Sequence, residues 1–203
     1  MMDQASRIAS VRTVDEFDRA RAQEYALLAT LLTRSPDAHL LSRISGLRGD
    51  ASPMGMAHIA LADAARRTNE QAASREFFAL FAGLGNGALL PYASHYLSET
   101  LYGRPLARLR ETLEGLGLQK APDRTEPEDH AGFLCEIMSG LAGGSIPASA
   151  DAERIFFEEH VSRWMGRFFA DLERAGSADF YAAVGAAGRT LIDIEVKAFA
   201  LPT

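Results

Sequence analysis

Apolar side chains recur at helical spacing along almost the entire chain, and the strict alternation and two-residue turns of β-hairpins are missing from it. Over 15–33, Phe17, Ala20, Leu27, Leu28, Leu31 and Leu32 describe one helical stripe, ended by Ser35 and Pro36. A short helix is expected over 37–47, then a loop marked by Gly46, Gly49, Ser52 and Pro53, then an alanine-rich helix over 54–67. Thr68 or Asn69 can cap the next, whose Phe77, Phe78, Leu80, Phe81 and Leu84 form a dense apolar stripe. Pro105 opens a helix that runs to about Leu116 and is stopped by Gly117. Phe133, Leu134, Ile137, Met138 and Leu141 mark another. The span 150–174 reads as the longest and most central helix, with Phe157, Val161, Trp164, Phe168 and Leu172 flanked by Phe156, Met165 and Phe169. A final helix covers about 178–199. The expectation is an all-α fold, an irregular single-domain bundle of about eight helices. Residues 1–14 are expected to be a flexible N-terminal segment and 15–203 the helical domain. A chain of 203 residues can bury one substantial core and is short for two.

A net charge of −6 argues against nucleic-acid binding, which needs basic stripes to neutralise phosphates. The single cysteine, Cys135, excludes an intrachain disulfide and a cysteine-rich zinc site, and it falls in an apolar helical run where a packing role is expected. The opening residues lack the continuous apolar core of a signal peptide, and no stretch approaches the roughly 20 apolar residues of a membrane span. The expected location is the cytoplasm, without membrane insertion.

Two segments interrupt the helical pattern. Residues 83–103 carry four glycines, Pro91 and a series of aromatic and histidine side chains without a helical stripe, and they read as a long functional loop. Its Gly83-Leu84-Gly85-Asn86-Gly87 lacks the preceding strand and the lysine of a phosphate loop, so a glycine-rich helix end is expected. The second segment is Thr125-Glu126-Pro127-Glu128-Asp129-His130. Thr125 and Glu128 fit a capping box, Pro127 suits a first helical turn, and the acids suit the positive end of the helix dipole. His130 has no such structural reason to be there. It shares a helix face with Leu134, Ile137 and Leu141, beside carboxylates able to grip a guanidinium. An apolar groove with an acidic rim suits a peptide that is basic at one end and hydrophobic further on, as export leaders are. None of His39, His58, His95, His130 and His160 lies at metal-ligand spacing, and Glu158-Glu159-His160 reads as a solvated face. No metal or other cofactor is expected. Arg66-Arg67 lies mid-helix with no apolar run after it, so the chain is expected to be a reader of the leader signal and not a bearer.

The sequence resembles the TorD/DmsD family of chaperones for molybdenum-cofactor oxidoreductases. The likeness rests on Leu90-Pro91-Tyr92-Ala93-Ser94-His95-Tyr96-Leu97, on Glu126-Pro127-Glu128-Asp129-His130, and on the closing pattern with His160, Trp164 and Phe180-Tyr181. These occur in the family's order and spacing from about Tyr25 onward. The resemblance implies a non-catalytic protein that recognises the twin-arginine leader of a molybdopterin oxidoreductase's catalytic subunit and delays export until the cofactor is inserted. It implies peptide-binding roles for Pro91, Tyr92, Tyr96, Glu126, Pro127, Asp129 and His130. Some members carry tryptophan at the place of Tyr92, so the groove here is expected to suit a different leader. Monomers and domain-swapped dimers both fit the family, with hinges beside Ala121-Pro122 or Gly143. Two rival readings remain from the residues alone: a small hydrolase with Asp129 and His130 as its acid–base pair, and a structural docking subunit of an oxidoreductase complex.

Overall fold

The computed structural model describes residues 14–82, 88–98, 101–121, 125–149 and 151–201. The expected N-terminal segment, the glycine-rich run 83–87 and the Pro122 hinge therefore lie outside the described residues, except for Val14. Within them the fold is all-α, with ten α-helices rather than about eight. In order these are α1 Glu16–Thr33, α2 Ala38–Ser45, α3 Pro53–Arg67, α4 Glu70–Phe77, α5 Ala93–Ser98, α6 Arg104–Gly115, α7 Ala131–Ala142, α8 Ala152–Phe156, α9 Met165–Arg174 and α10 Phe180–Phe199.

Four of the early helices start on caps drawn from their own sequence. Asp15 and Asp18 form a capping box on α1, while Asp37, Ser52 and Asn69 each accept a backbone N–H in the first turn of α2, α3 and α4. Gly117 follows α6 at a φ of +69°, a conformation that favours glycine. The last helix is capped from afar. Glu76 of α4 accepts hydrogen bonds from the backbone N–H groups of Asp179, Phe180 and Tyr181 at 2.6, 3.1 and 2.6 Å.

The main packing pairs are α1 with α7, α9 with α10, and α10 with α3. Between them Tyr25, Phe156, Phe157, Trp164, Phe168, Phe169, Phe180 and Tyr181 are almost wholly removed from water. A charged cluster sits within this frame. Arg21 of α1 grips Glu195 of α10 through two hydrogen bonds of 2.7 and 2.5 Å and reaches Glu153 of α8 at 2.5 Å. Cys135 is buried, as its apolar run implies.

The span expected to be one long helix, 150–174, is broken. It contains α8, a π-helical turn Phe157–Val161, a bend at Ser162–Trp164 and α9, so α10, at 20 residues, is the longest helix described. The inserted residue shows in the Ser162 N–H bonding five residues back to the Phe157 carbonyl. Trp164 then leaves the helical region at φ −144°, and its indole N–H caps the His160 carbonyl at 2.7 Å. The break turns His160 inward. It is 7% exposed and hydrogen-bonded to Thr112 at 2.8 Å, which corrects the expectation of a solvated face for His160, while Glu158 and Glu159 are exposed.

Candidate functional site

The two interrupted segments meet. A single antiparallel bridge pairs Tyr92 with His130, flanked by hydrogen bonds from Ala93 N–H to the Asp129 carbonyl at 3.0 Å and from Ala131 N–H to the Pro91 carbonyl at 2.7 Å. The loop also carries α5, a short helix that its irregular pattern concealed.

The capping box expected at Thr125 and Glu128 is not formed. Helix α7 begins at Ala131, and His130 is its N-cap, with Nδ1 accepting from the Gly132 N–H at 3.0 Å. That bond requires an unprotonated Nδ1. Gly132 is needed for the close fit, since a Cβ there would meet the Thr33 methyl at 2.6 Å. Residues 126–129 lie before the helix, where their side chains are engaged elsewhere. Arg110 Nε and Nη2 donate to the two oxygens of Glu128 at 3.1 and 2.9 Å. The Tyr92 hydroxyl donates to Glu126, and Lys120 Nζ donates to the Glu126 carbonyl at 3.2 Å.

Around this bridge is a cleft of about 440 Å³. Its apolar lining comes from Leu32, Phe77, Phe81, Pro91, Tyr92 and Phe133, and Glu126, Pro127, Glu128, His130, Arg34 and Lys120 line it as well. The Tyr92 and His130 rings meet edge to face at 5.3 Å. Burial, reinforced by the neighbouring Glu126 carboxylate, pushes the Tyr92 phenol well above its ordinary value and keeps it a donor. Partial burial pulls the Glu128 carboxyl upward, but its Arg110 and backbone hydrogen bonds and the Arg110 and Lys120 charges outweigh this and hold it below the usual carboxylate range.

Five of the expected site residues, Pro91, Tyr92, Glu126, Pro127 and His130, are thus brought to one cleft, whereas Asp129 and Tyr96 are not among its lining residues. The Asp129 side chain is 1% exposed and accepts from the Ser94 N–H at 2.8 Å, tying α5 to the 125–130 segment. Its other oxygen has no hydrogen-bond partner among the described residues, and it lines a second cavity of about 680 Å³ with Arg104, Arg108, Thr112, His160 and Arg163. Tyr96 packs on Trp164 at 5.5 Å and donates its hydroxyl to Asp171 at 3.0 Å. Sequence reasoning missed Phe77, Phe81 and Phe133 as cleft residues, because an apolar stripe does not say which part of it stays uncovered. Among the described residues no group of three or more His, Cys, Asp or Glu side chains could hold a metal ion, and no helix is long and apolar enough to cross a membrane.

The model of the nitrate reductase delta subunit family matches residues 48–170, more than half of the chain and all of the bridge between the two segments. The chain belongs to this family. Among its relatives, chaperone protein TorD of Vibrio cholerae is 28% identical over 123 residues, 56% of this chain and 54% of that protein. A Haemophilus influenzae protein inferred to be the Tat proofreading chaperone DmsD is 26% identical over 117 residues, 57% of this chain and 56% of its own length. The chain therefore spans about half the length of these curated relatives. The TorD/DmsD family is the one that the loop and pentapeptide motifs resemble. An Archaeoglobus fulgidus crystal structure, of a protein proposed to act in redox enzyme maturation, shares the fold at a TM-score of 0.56 and 19% identity, covering 90% of this chain and 98% of that one.

Proposed function

We propose that this chain is a maturation chaperone for a molybdenum-cofactor oxidoreductase, and that it holds the twin-arginine leader of the catalytic subunit in the Tyr92 cleft until the cofactor is in place. The observation that carries this reading is that aromatic side chains and two carboxylates line one cleft. Glu126 and Glu128 offer charge-assisted hydrogen bonds to guanidinium groups, while Phe77, Phe81, Tyr92 and Phe133 take up apolar side chains further along the peptide. Micromolar binding corresponds to about −8 kcal/mol, within reach of two such charged contacts and a few buried leucines after ordering costs.

In this reading Asp129 is a positioning residue. It holds α5 and the Tyr92 loop against the 125–130 segment, so the cleft wall depends on it without contact to the peptide. The same geometry disfavours a hydrolase. Asp129 faces the second cavity and His130 the first, and His130 Nδ1 is engaged as a helix cap, so the two do not form an oriented acid–base pair over a common substrate.

The test is affinity capture from the native cytoplasm, with bound proteins scored by mass spectrometry for intact leaders and a Glu126→Gln/Glu128→Gln variant as control. Recovery of one molybdoenzyme precursor, lost in the variant, is the expected result. Recovery of mature partners only, or equal recovery by the variant, would contradict leader recognition at this cleft.

A further inference from the structure

Of the two carboxylates that line the Tyr92 cleft, Glu128 is already paired with a cation from the chain itself. Arg110 binds Glu128 through the two-pronged geometry that a guanidinium makes with a carboxylate. Glu128 stands between two spaces, lining the Tyr92 cleft on one side and, on the other, a groove that it shares with Arg110, Glu114 and Lys120. Its side chain is 12% exposed and that of Arg110 is 56% exposed, so the arginine reaches a largely covered carboxylate from the solvent side.

We infer that Arg110 is an internal stand-in for a leader arginine, and that peptide binding proceeds by exchange of one guanidinium for another on Glu128. This inference rests on the proposed leader-binding role of the cleft. The exchange preserves the ion pair, because one bidentate contact replaces another of the same chemistry. Arg110 has somewhere to go. Glu114 lies four residues further along α6 and lines the same groove, at the spacing of a helical ion pair. The largely exposed Arg110 gives up little burial in making that move.

Exchange has a consequence for selectivity. A bare carboxylate rim attracts any basic peptide, whereas a rim that must release Arg110 gains little from charge alone. Net affinity then comes from Glu126, whose carboxylate is met by the neutral Tyr92 hydroxyl and still gains from a second arginine, and from the apolar stretch that enters beside Phe77, Phe81 and Phe133, so a peptide needs both arginines and hydrophobic residues to bind well. Arg110 is by this account a specificity-determining residue that never touches the bound peptide.

The experiment titrates three synthetic peptides against the full chain: two adjacent arginines followed by a leucine-rich stretch, the same peptide with both arginines changed to glutamine, and a diarginine peptide without the leucines. Wild type is compared with Arg110→Gln and Arg110→Lys. Arg110→Gln is expected to bind the complete peptide about two- to fivefold tighter, the range of one partly exposed charge pair. It should also gain measurable affinity for the diarginine peptide, while affinity for the glutamine peptide stays unchanged. Arg110→Lys should fall between wild type and Arg110→Gln, because it keeps the charge and loses the fork. If wild type binds the complete peptide and Arg110→Gln binds it equally or more weakly, exchange is wrong and the leader-binding reading stands. If wild type does not discriminate between arginine and glutamine peptides, both fail. A rise in affinity for all three peptides would assign Arg110 a structural role and overturn the exchange.

Discussion

Two cavities share the wall made by Asp129 and His130, and the carboxylates at that wall are in opposite states. On the His130 side, Glu126 and Glu128 are both held, by Tyr92 and Arg110. On the Asp129 side, one buried carboxylate oxygen and the Ser94 hydroxyl have no hydrogen-bond partner among the described residues. The cause is local. The chain turns over 127–130, closed by the His130 N–H on the Pro127 carbonyl, and His130 leaves the turn in extended backbone, with Asp129 lining one cavity and His130 the other. A pentapeptide that reads as one motif is divided between the lining of the Tyr92 cleft and an internal tie to Ser94.

The largest effect that would sharpen this contrast is on stability. Asp129→Ala removes the acceptor for the buried Ser94 N–H and should cost about 1.5–3 kcal/mol in urea denaturation, with leader affinity falling as the wall loosens. Asp129→Asn, which can still accept that bond, should recover most of both. An Asp129→Ala protein of unchanged stability that fails to bind would make Asp129 a direct contact and erase the division between the cavities. Next in size, Glu126→Gln/Glu128→Gln should weaken binding of a diarginine-leucine peptide about tenfold by calorimetry, roughly 1.4 kcal/mol, with little change in unfolding. Tyr92→Phe loses only the hydroxyl that orients Glu126 and should cost about threefold or less.

The smallest effect is a pH dependence that belongs to the second cavity. Burial holds the His160 imidazole below its ordinary value of 6.5 despite the nearby Glu159. Folding therefore favours the neutral ring, and the stability it contributes is complete above about pH 6.5 and fades as pH falls below that value. His58 has the opposite sign. Its hydrogen bond to Glu24 raises its pKa, so its contribution is present at low pH and is lost as pH rises through the raised value. His160→Asn should flatten the loss of stability between pH 7 and pH 5, whereas His58→Asn should steepen it. Identical pH profiles for wild type and His160→Asn would show that this ring does not titrate differently on folding.

Much of the frame was legible because its causes are local. Asp15, Asp37 and Asn69 cap the helices they precede, Gly117 stops α6, and the apolar stripes mark the buried faces. What escaped depends on partners far along the chain. Thr125-x-x-Glu128 has the spacing of a capping box, yet Glu128 pairs with Arg110 and the bridge to Tyr92 delays the helix to Ala131. The Arg21–Glu195 pair and the Glu76 cap on α10 join residues more than a hundred positions apart. The π-turn at Phe157–Val161 adds a residue without disturbing an apolar pattern that was already wide. For the cleft, Pro91, Tyr92, Glu126, Pro127 and His130 could be read from motifs, whereas assigning Asp129 to the other cavity needed the backbone between them.

The most direct test is a ¹⁵N chemical-shift titration of the chain with the diarginine-leucine peptide. The account predicts perturbations centred on Tyr92, Glu126, Glu128 and Phe133, with Arg104, Thr112 and His160 unmoved. Perturbations centred on Arg104, Thr112 and His160 would place the peptide in the Asp129 cavity and contradict it.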